Sequence, residues 1–196
     1  MFPGAIAQEA PDRPAVIMAT TGQVITFAQL DAAANRLSHV LRKAGLVAGD
    51  HIAFCLENHP RYFEILWGCH YAGLIYTACS SRLTTDELSY IINDCGAKAF
   101  ITSKYKTEQA QQVVATTPNV GLRLMLDGVI DKYDSYESVV DKAPKTPLEN
   151  RVDGVDMLYS SGTTGRPKGI KLGLSMSPLG TPTSLSALCG MLFGID

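Results

Sequence analysis

The sequence predicts an α/β fold, a doubly wound and mainly parallel sheet covered by helices on both faces. Three observations carry that expectation. Strand-like and helix-like segments alternate along the chain. The strand-like ones are continuous apolar runs, not strict period-2 patterns, as strands buried on both faces require. The 196 residues, 46% of them hydrophobic, suffice for one domain or a domain and a fraction.

Element by element, AVIMA (15–19) is a short apolar run followed by the turn signal Thr20-Thr21-Gly22 and the extended piece QVIT, which predicts a hairpin. A helix follows at once. Thr26 with Gln29 forms a capping box, and Phe27, Leu30, Ala34, Leu37 and Leu41 recur at helical spacing until Gly45. HIAFCL (51–56) has the length and composition of a strand, and Pro60 is placed in the first turn of a helix over YFEILWGCHYA, which Gly73 ends. LIYTACS predicts the next strand. Thr84 with Glu87 opens another capped helix, buried through Leu88, Ile91 and Ile92 and closed at Cys95-Gly96. KAFITS is a strand, 105–115 a polar helix, GLRLMLD (121–127) a strand and Ser135 to Lys142 a short helix. The Pro-bearing, aperiodic stretch 143–154 reads as a connecting loop, after which VDMLYS (155–160) is a strand.

Composition excludes several classes. A formal charge of −2 with no block of like charges argues against a nucleic-acid groove or a polybasic membrane patch. The N-terminus lacks the features of a signal peptide, and no run approaches the ~18 apolar residues of a membrane span. Five scattered cysteines, Cys55, Cys69, Cys79, Cys95 and Cys189, contain no CxxC pair and suit a reducing cytosol, each as a small buried apolar residue. The expected location is cytoplasmic.

The chemistry concentrates in Ser160-Ser161-Gly162-Thr163-Thr164-Gly165-Arg166-Pro167-Lys168-Gly169. Three glycines, four hydroxyls and two cations share ten positions. Glycines let backbone N–H groups converge on an anion, hydroxyls add rotatable donors, and a lysine supplies a point charge for phosphate oxygens. It is not a Walker A loop, because Lys168 follows Gly165 by three and is itself followed by Gly169. Pro167 biases Arg166 away from the helical region, so a strand, loop, strand path with GIKL (169–172) outgoing is expected. The bland alternative is a solvated Gly/Thr hairpin loop.

The run YSSGTTGRPKG resembles, residue for residue, the phosphate-binding signature of the adenylate-forming superfamily: acyl-CoA synthetases, firefly luciferases and adenylation domains of peptide synthetases. The pattern RLT..EL.Y...D.GAK from Arg82 to Lys98 also resembles their N-terminal half, so the resemblance runs across essentially the whole chain. It implies an N-terminal portion of an acyl-CoA synthetase. A fatty or aryl carboxylate attacks the α-phosphate of ATP, pyrophosphate leaves, magnesium assists, and coenzyme A takes the acyl group. By motif position, Ser160, Ser161, Gly162, Thr163, Thr164, Gly165, Arg166, Pro167 and Lys168 would bind the β- and γ-phosphates, with Lys168 neutralising charge and Ser160 a candidate to face the metal. Such preorganised donors would stabilise the leaving pyrophosphate electrostatically.

The resemblance also implies what is missing. Relatives are longer, and their adenine- and ribose-binding motifs and catalytic lysine would lie beyond residue 196, so no catalytic residue is assigned and the chain alone is not expected to be competent. The family's Thr-His pair after Pro-Lys-Gly has no counterpart here, His70 being the last histidine. Residues 1–154 are expected to form an α/β subdomain, and 155–196 a phosphate-loop strand segment with the start of a truncated next subdomain. Leu185, Leu188, Met191 and Leu192 fall at helical spacing with nothing following to cover them, which predicts self-association. A non-catalytic phosphate-binding or interaction module is the rival from another class.

Other constellations are read as structural. His51 and Cys55 share a strand face but make only two ligands, too few for a metal site. Cys69 and His70 are neighbours on a helix and do not face each other. Asp86 and Glu87 suit the first turn of a helix through its dipole. Arg82 is placed in a loop or the packing core, with no catalytic role.

Overall fold

The computed structural model describes residues 2–160, 166–182, 188 and 191–192. An N-terminal helix α1 (Pro3–Glu9) leads into strands β1 (Pro14–Ile17) and β2 (Val24–Thr26), which form the expected antiparallel hairpin. Helix α2 (Phe27–Lys43) begins where the capping box places it: Thr26 Oγ1 accepts the Gln29 N–H at 3.3 Å, and Gln29 Oε1 accepts the Thr26 N–H at 2.9 Å. Strand β3 (His51–Cys55), helix α3 (Tyr62–Tyr71) and strand β4 (Ile75–Cys79) follow. Pro60 lies before α3, not in its first turn. The Tyr62 N–H bonds the His59 carbonyl at 3.0 Å, so residues 59–62 close a tight turn with Pro60 second in it, a position its fixed φ favours.

Helix α4 (Thr85–Asp94) carries the second predicted box, with the Thr84 N–H on Glu87 Oε2 at 2.8 Å. Next come strand β5 (Ala99–Ser103), a single 3-10 turn, helix α5 (Thr107–Thr116) and strand β6 (Leu122–Leu126). A two-residue strand β7 (Asp134–Ser135) and helix α6 (Tyr136–Val140) precede strands β8 (Val155–Ser160) and β9 (Lys168–Lys171).

The main sheet has seven strands in the order β7-β6-β5-β3-β4-β8-β9. Every pairing in it is parallel except β8 with β9. Side chains alternate across it. Ile52 and Phe54 join a core with α2, α3 and α6, whereas Ala53 and Cys55 join a second core with α4 and α5. Helices therefore cover both faces, and the doubly wound α/β expectation holds. Strand order reverses between β3 and β5: the chain leaves β3 for β4 on one side and returns past it to β5 on the other. The carboxyl ends of β3, β4, β5, β6 and β8 share one edge of the sheet.

Candidate functional site

Strand β8 pairs in parallel with β4 through Ile75↔Val155 and Tyr76↔Asp156, so its last residue, Ser160, emerges at the carboxyl edge where open parallel sheets place their ligands. Its N-terminal end is pinned by α3. The Gly154 N–H bonds the His70 carbonyl at 3.1 Å, and the Val155 N–H bonds the Leu74 carbonyl at 3.1 Å.

Beyond the loop, β9 returns antiparallel with Ser160 opposite Lys168, Tyr159 opposite Gly169, and Leu158 opposite Ile170. The strand, loop, strand path is thus the observed one, with Arg166 and Pro167 leading into an extended strand. Directly opposed residues of a ladder project to the same face. That face carries Ser160, Lys168, Leu158 and Ile170, all exposed. The ladder therefore sets Ser160 opposite Lys168 at the base of the loop, with exposed Arg166 close by in the chain. Ser161, Gly162, Thr163, Thr164 and Gly165 lie outside the described residues, as do the predicted apolar helix positions except Leu188, Met191 and Leu192, which are exposed.

The opposite face of the hairpin turns to α4. The Tyr159 hydroxyl donates to Asp94 Oδ2 at 2.6 Å, and the Tyr90 hydroxyl donates to the Pro167 carbonyl at 3.2 Å. The Arg166 guanidinium lies 5.4 Å from the centre of the Tyr90 ring, within cation–π range. Gly169 makes room for this arrangement, since a Cβ there would stand 2.4 Å from Met157 Cε and 3.1 Å from the Tyr159 hydroxyl oxygen. Burial, reinforced by the hydrogen bond to Asp94, holds the Tyr159 hydroxyl protonated far above the ordinary phenol range. Tyr90 and Asp94 fall within the pattern from Arg82 to Lys98, but the sequence reading assigned them no role. Their spacing of four on a capped helix is the local sign that they share a face.

The remaining candidates are structural. Cys55 donates its thiol to the Ser80 carbonyl at 3.6 Å, and burial raises its pKa to about 11. His51 is held below the ordinary imidazole value by burial and then by Lys171, so the pair reads as packing. Cys69 is fully buried and its thiol is pushed up by desolvation. His70 turns from it to Asp153, its Nδ1–H donating to Oδ1 at 2.7 Å while Nε2 accepts from the Tyr76 hydroxyl at 3.2 Å. Glu87 serves the α4 cap, and its carboxyl is lowered by the Thr84 N–H. Arg82 is exposed, with its backbone N–H on Ser80 Oγ. Cys55, Cys69, Cys79 and Cys95 are free and buried.

Among the described residues, Glu57, His59 and Asp127 form a group with ligand atoms all within 4.8 Å of one another, at the same sheet edge. The imidazole tautomer argues against a metal there. His59 Nδ1 accepts the Arg61 N–H at 3.1 Å, so Nε2 carries the proton and donates it to Asp127 Oδ2 at 3.0 Å. A metal-bound histidine shows the reverse, its distal nitrogen donating.

A family model described as AMP-binding enzyme matches residues 5–174. The chain is 33% identical over 169 residues to the fatty acid–[acyl-carrier-protein] ligase ScoC of Streptomyces coeruleorubidus, covering 85% of this chain and 31% of that protein. It is 36% identical over 152 residues to a feruloyl-CoA synthase of an Amycolatopsis species, covering 77% of this chain and 28% of that protein. Among solved structures, apo MbtA of Mycobacterium smegmatis matches with a TM-score of 0.76 at 28% identity, covering 89% of this chain and 33% of that one. The chain spans about a third of the length of the curated relatives it matches. No helix among the described residues is long and apolar enough to cross a membrane.

Proposed function

This chain belongs to the AMP-binding enzyme family, and we propose that it supplies the phosphate-binding loop of an ATP-dependent acid–thiol ligase. The observation that carries the proposal is the opposition of Ser160 and Lys168 across the β8–β9 ladder, at the carboxyl edge of a parallel sheet. Residues Ser160 to Lys168 hold the β- and γ-phosphates of ATP in this reading. Lys168 and Arg166 balance the charge that develops on the departing pyrophosphate, and the hydroxyls and backbone N–H groups of the loop orient it. Magnesium, if held here, would neutralise part of the phosphate charge. The Ser160 hydroxyl, exposed beside Lys168, would be the candidate group to face it. In this reading residues 1–154 are the α/β subdomain and 155–196 the phosphate-loop segment, whose strands β8 and β9 continue the same sheet.

The substrate class is a fatty or aryl carboxylic acid, the two kinds named for ScoC and for feruloyl-CoA synthase. The acceptor thiol is that of coenzyme A; the carrier-protein acceptor named for ScoC is the second reading. The test of the loop is the affinity of the chain for MgATP and inorganic pyrophosphate. Removing one charge-assisted contact with Lys168→Ala should weaken binding by roughly tenfold or more. Unchanged affinity in a folded variant would leave the loop a solvated hairpin and sink the proposal. The acid is then identified by pyrophosphate exchange into ATP across a panel of acids, measured on the full-length polypeptide that contains this chain.

A further inference from the structure

We infer that Tyr90 and Asp94 of α4 are positioning residues for the phosphate loop, holding its incoming and outgoing arms against one rigid helix. The inference rests on the phosphate reading above and adds the device that keeps the loop's two ends in place.

Tyr90 and Asp94 stand four residues apart, so both project from one face of α4. Each takes a different arm of the hairpin. Asp94 receives the hydroxyl of Tyr159, one residue before Ser160 on the incoming strand. Tyr90 donates to the carbonyl of Pro167, one residue before Lys168 on the outgoing side. The described β8–β9 ladder ends at the pair Ser160↔Lys168, so Pro167 lies beyond the last strand pairing, and the Tyr90 hydroxyl bonds its carbonyl there. The same Tyr90 ring carries the Arg166 guanidinium at 5.4 Å, which sets a positive charge at the loop's exit.

The helix that does this is well fixed. Thr84 and Glu87 cap its start in both directions, and Leu88, Ile91 and Ile92 anchor its opposite side in the core. Gly169 leaves room beside this contact, since a Cβ there would stand 2.4 Å from Met157 Cε and crowd the Tyr159 hydroxyl oxygen at 3.1 Å. A loop whose ends are tied to a packed helix presents its donors without reorganisation when phosphate arrives, and small misplacements of such donors are costly.

The test uses Tyr90→Phe, which keeps the ring beneath Arg166 but loses the bond to Pro167, Tyr90→Leu, which loses both, and Asp94→Asn, which keeps the size of the side chain. Wild type and Lys168→Ala serve as references. Affinity for inorganic pyrophosphate, amide hydrogen exchange over residues 159–168 and the thermal midpoint are measured for each. Tyr90→Leu is expected to weaken pyrophosphate binding about tenfold and Tyr90→Phe by less, with faster exchange confined to 159–168, as a lost positioning contact predicts. Asp94→Asn is expected to speed exchange on the incoming arm. A structural role alone would lower the midpoint and speed exchange throughout the domain without a selective effect at the loop. The inference is overturned if Lys168→Ala weakens pyrophosphate binding while both Tyr90 variants and Asp94→Asn bind and exchange like wild type. Failure of wild type to bind pyrophosphate would instead overturn the phosphate reading itself, and this inference with it.

Discussion

Glu64 offers the most quantitative check on the structure. It is 7% exposed, and its Oε1 accepts from the hydroxyl of fully buried Tyr136 at 2.8 Å and from Arg61 Nη1 at 3.2 Å. Burial raises its pKa above the ordinary 4.5 despite the two donors. The native protein therefore binds more protons than the unfolded chain in the window that opens at the ordinary carboxylate value and closes at the raised one. Stability contributed by this group falls as pH rises through that window. Tyr136→Phe keeps the ring and the Arg61 guanidinium 5.5 Å above it, and deletes one oxygen. At about pH 8 the lost bond is to a carboxylate, worth about 1.5–3 kcal/mol; at about pH 4.5 it is closer to a neutral bond of about 1 kcal/mol. For a chain of this size each kcal/mol moves the midpoint by roughly 2–4 °C, so the expected drops are about 3–12 °C and about 2–4 °C. Melting curves of both proteins at the two pH values, followed by circular dichroism, decide it. Equal losses at both pH values would refute the charged, desolvated carboxylate.

Three further outcomes follow from the packing. A Cβ at Gly154 would stand 2.6 Å from the Leu74 carbonyl oxygen and 2.8 Å from His70 Cα, backbone atoms that cannot step aside. Gly154→Ala should cost about 1–3 kcal/mol, whereas Gly173→Ala, with no described atom within 4 Å, should melt like wild type; matching midpoints for the two variants would contradict the close approach of β8 to α3. Thr84→Ala should destabilise by about 1 kcal/mol and Thr84→Ser by clearly less, and urea titrations in which both behave like wild type would dismiss the α4 cap. With Cys189 replaced by Ser, the native protein at about pH 8 should resist a thiol reagent and release four thiols in guanidinium, because Cys55, Cys69, Cys79 and Cys95 are buried with raised pKa values. Rapid native labelling would place at least one of them at the surface.

What the sequence made legible was local or periodic. Two capping boxes, at Thr26 with Gln29 and Thr84 with Glu87, are each satisfied within four residues and stand as expected. The apolar runs became strands because a parallel sheet buries both faces. The strand, loop, strand path from 155 to 172 followed from the apolar run before the loop, the displaced Lys168 and Pro167. Contacts across long sequence separations left no such trace. Helix α1 has one buried residue, Pro3, and is held from elsewhere: the Gly4 N–H bonds the Tyr71 hydroxyl, which in turn bonds Asp31. Strand β7 is two residues long, too short for any pattern. Tyr90 reaches Pro167 across 77 positions and Tyr159 reaches Asp94 across 65, so the hold on the loop became visible only in three dimensions.

The topology explains why the loop sits where it does. Open parallel sheets offer a ligand crevice beyond the carboxyl ends at the point where strand order reverses, here between β3 and β5. In this chain that position is occupied by the protein's own bonds. The Ser103 hydroxyl donates to Glu57 at 2.5 Å, and His59, oriented by the Arg61 N–H, donates to Asp127 at 3.0 Å. Asp127 adopts φ +60°, a left-handed conformation that aspartate tolerates better than most residues. These bonds span the reversal point, whereas two strands away β8 outruns its short pairing with β4 and pairs with the antiparallel β9. In the proposed phosphate-binding reading, the anion meets Ser160 and Lys168 on the antiparallel hairpin, two strands from the reversal point. On that reading the anion lies at the hairpin because its two arms present exposed Ser160, Arg166 and Lys168 and are tied to α4 through Tyr159 and Pro167.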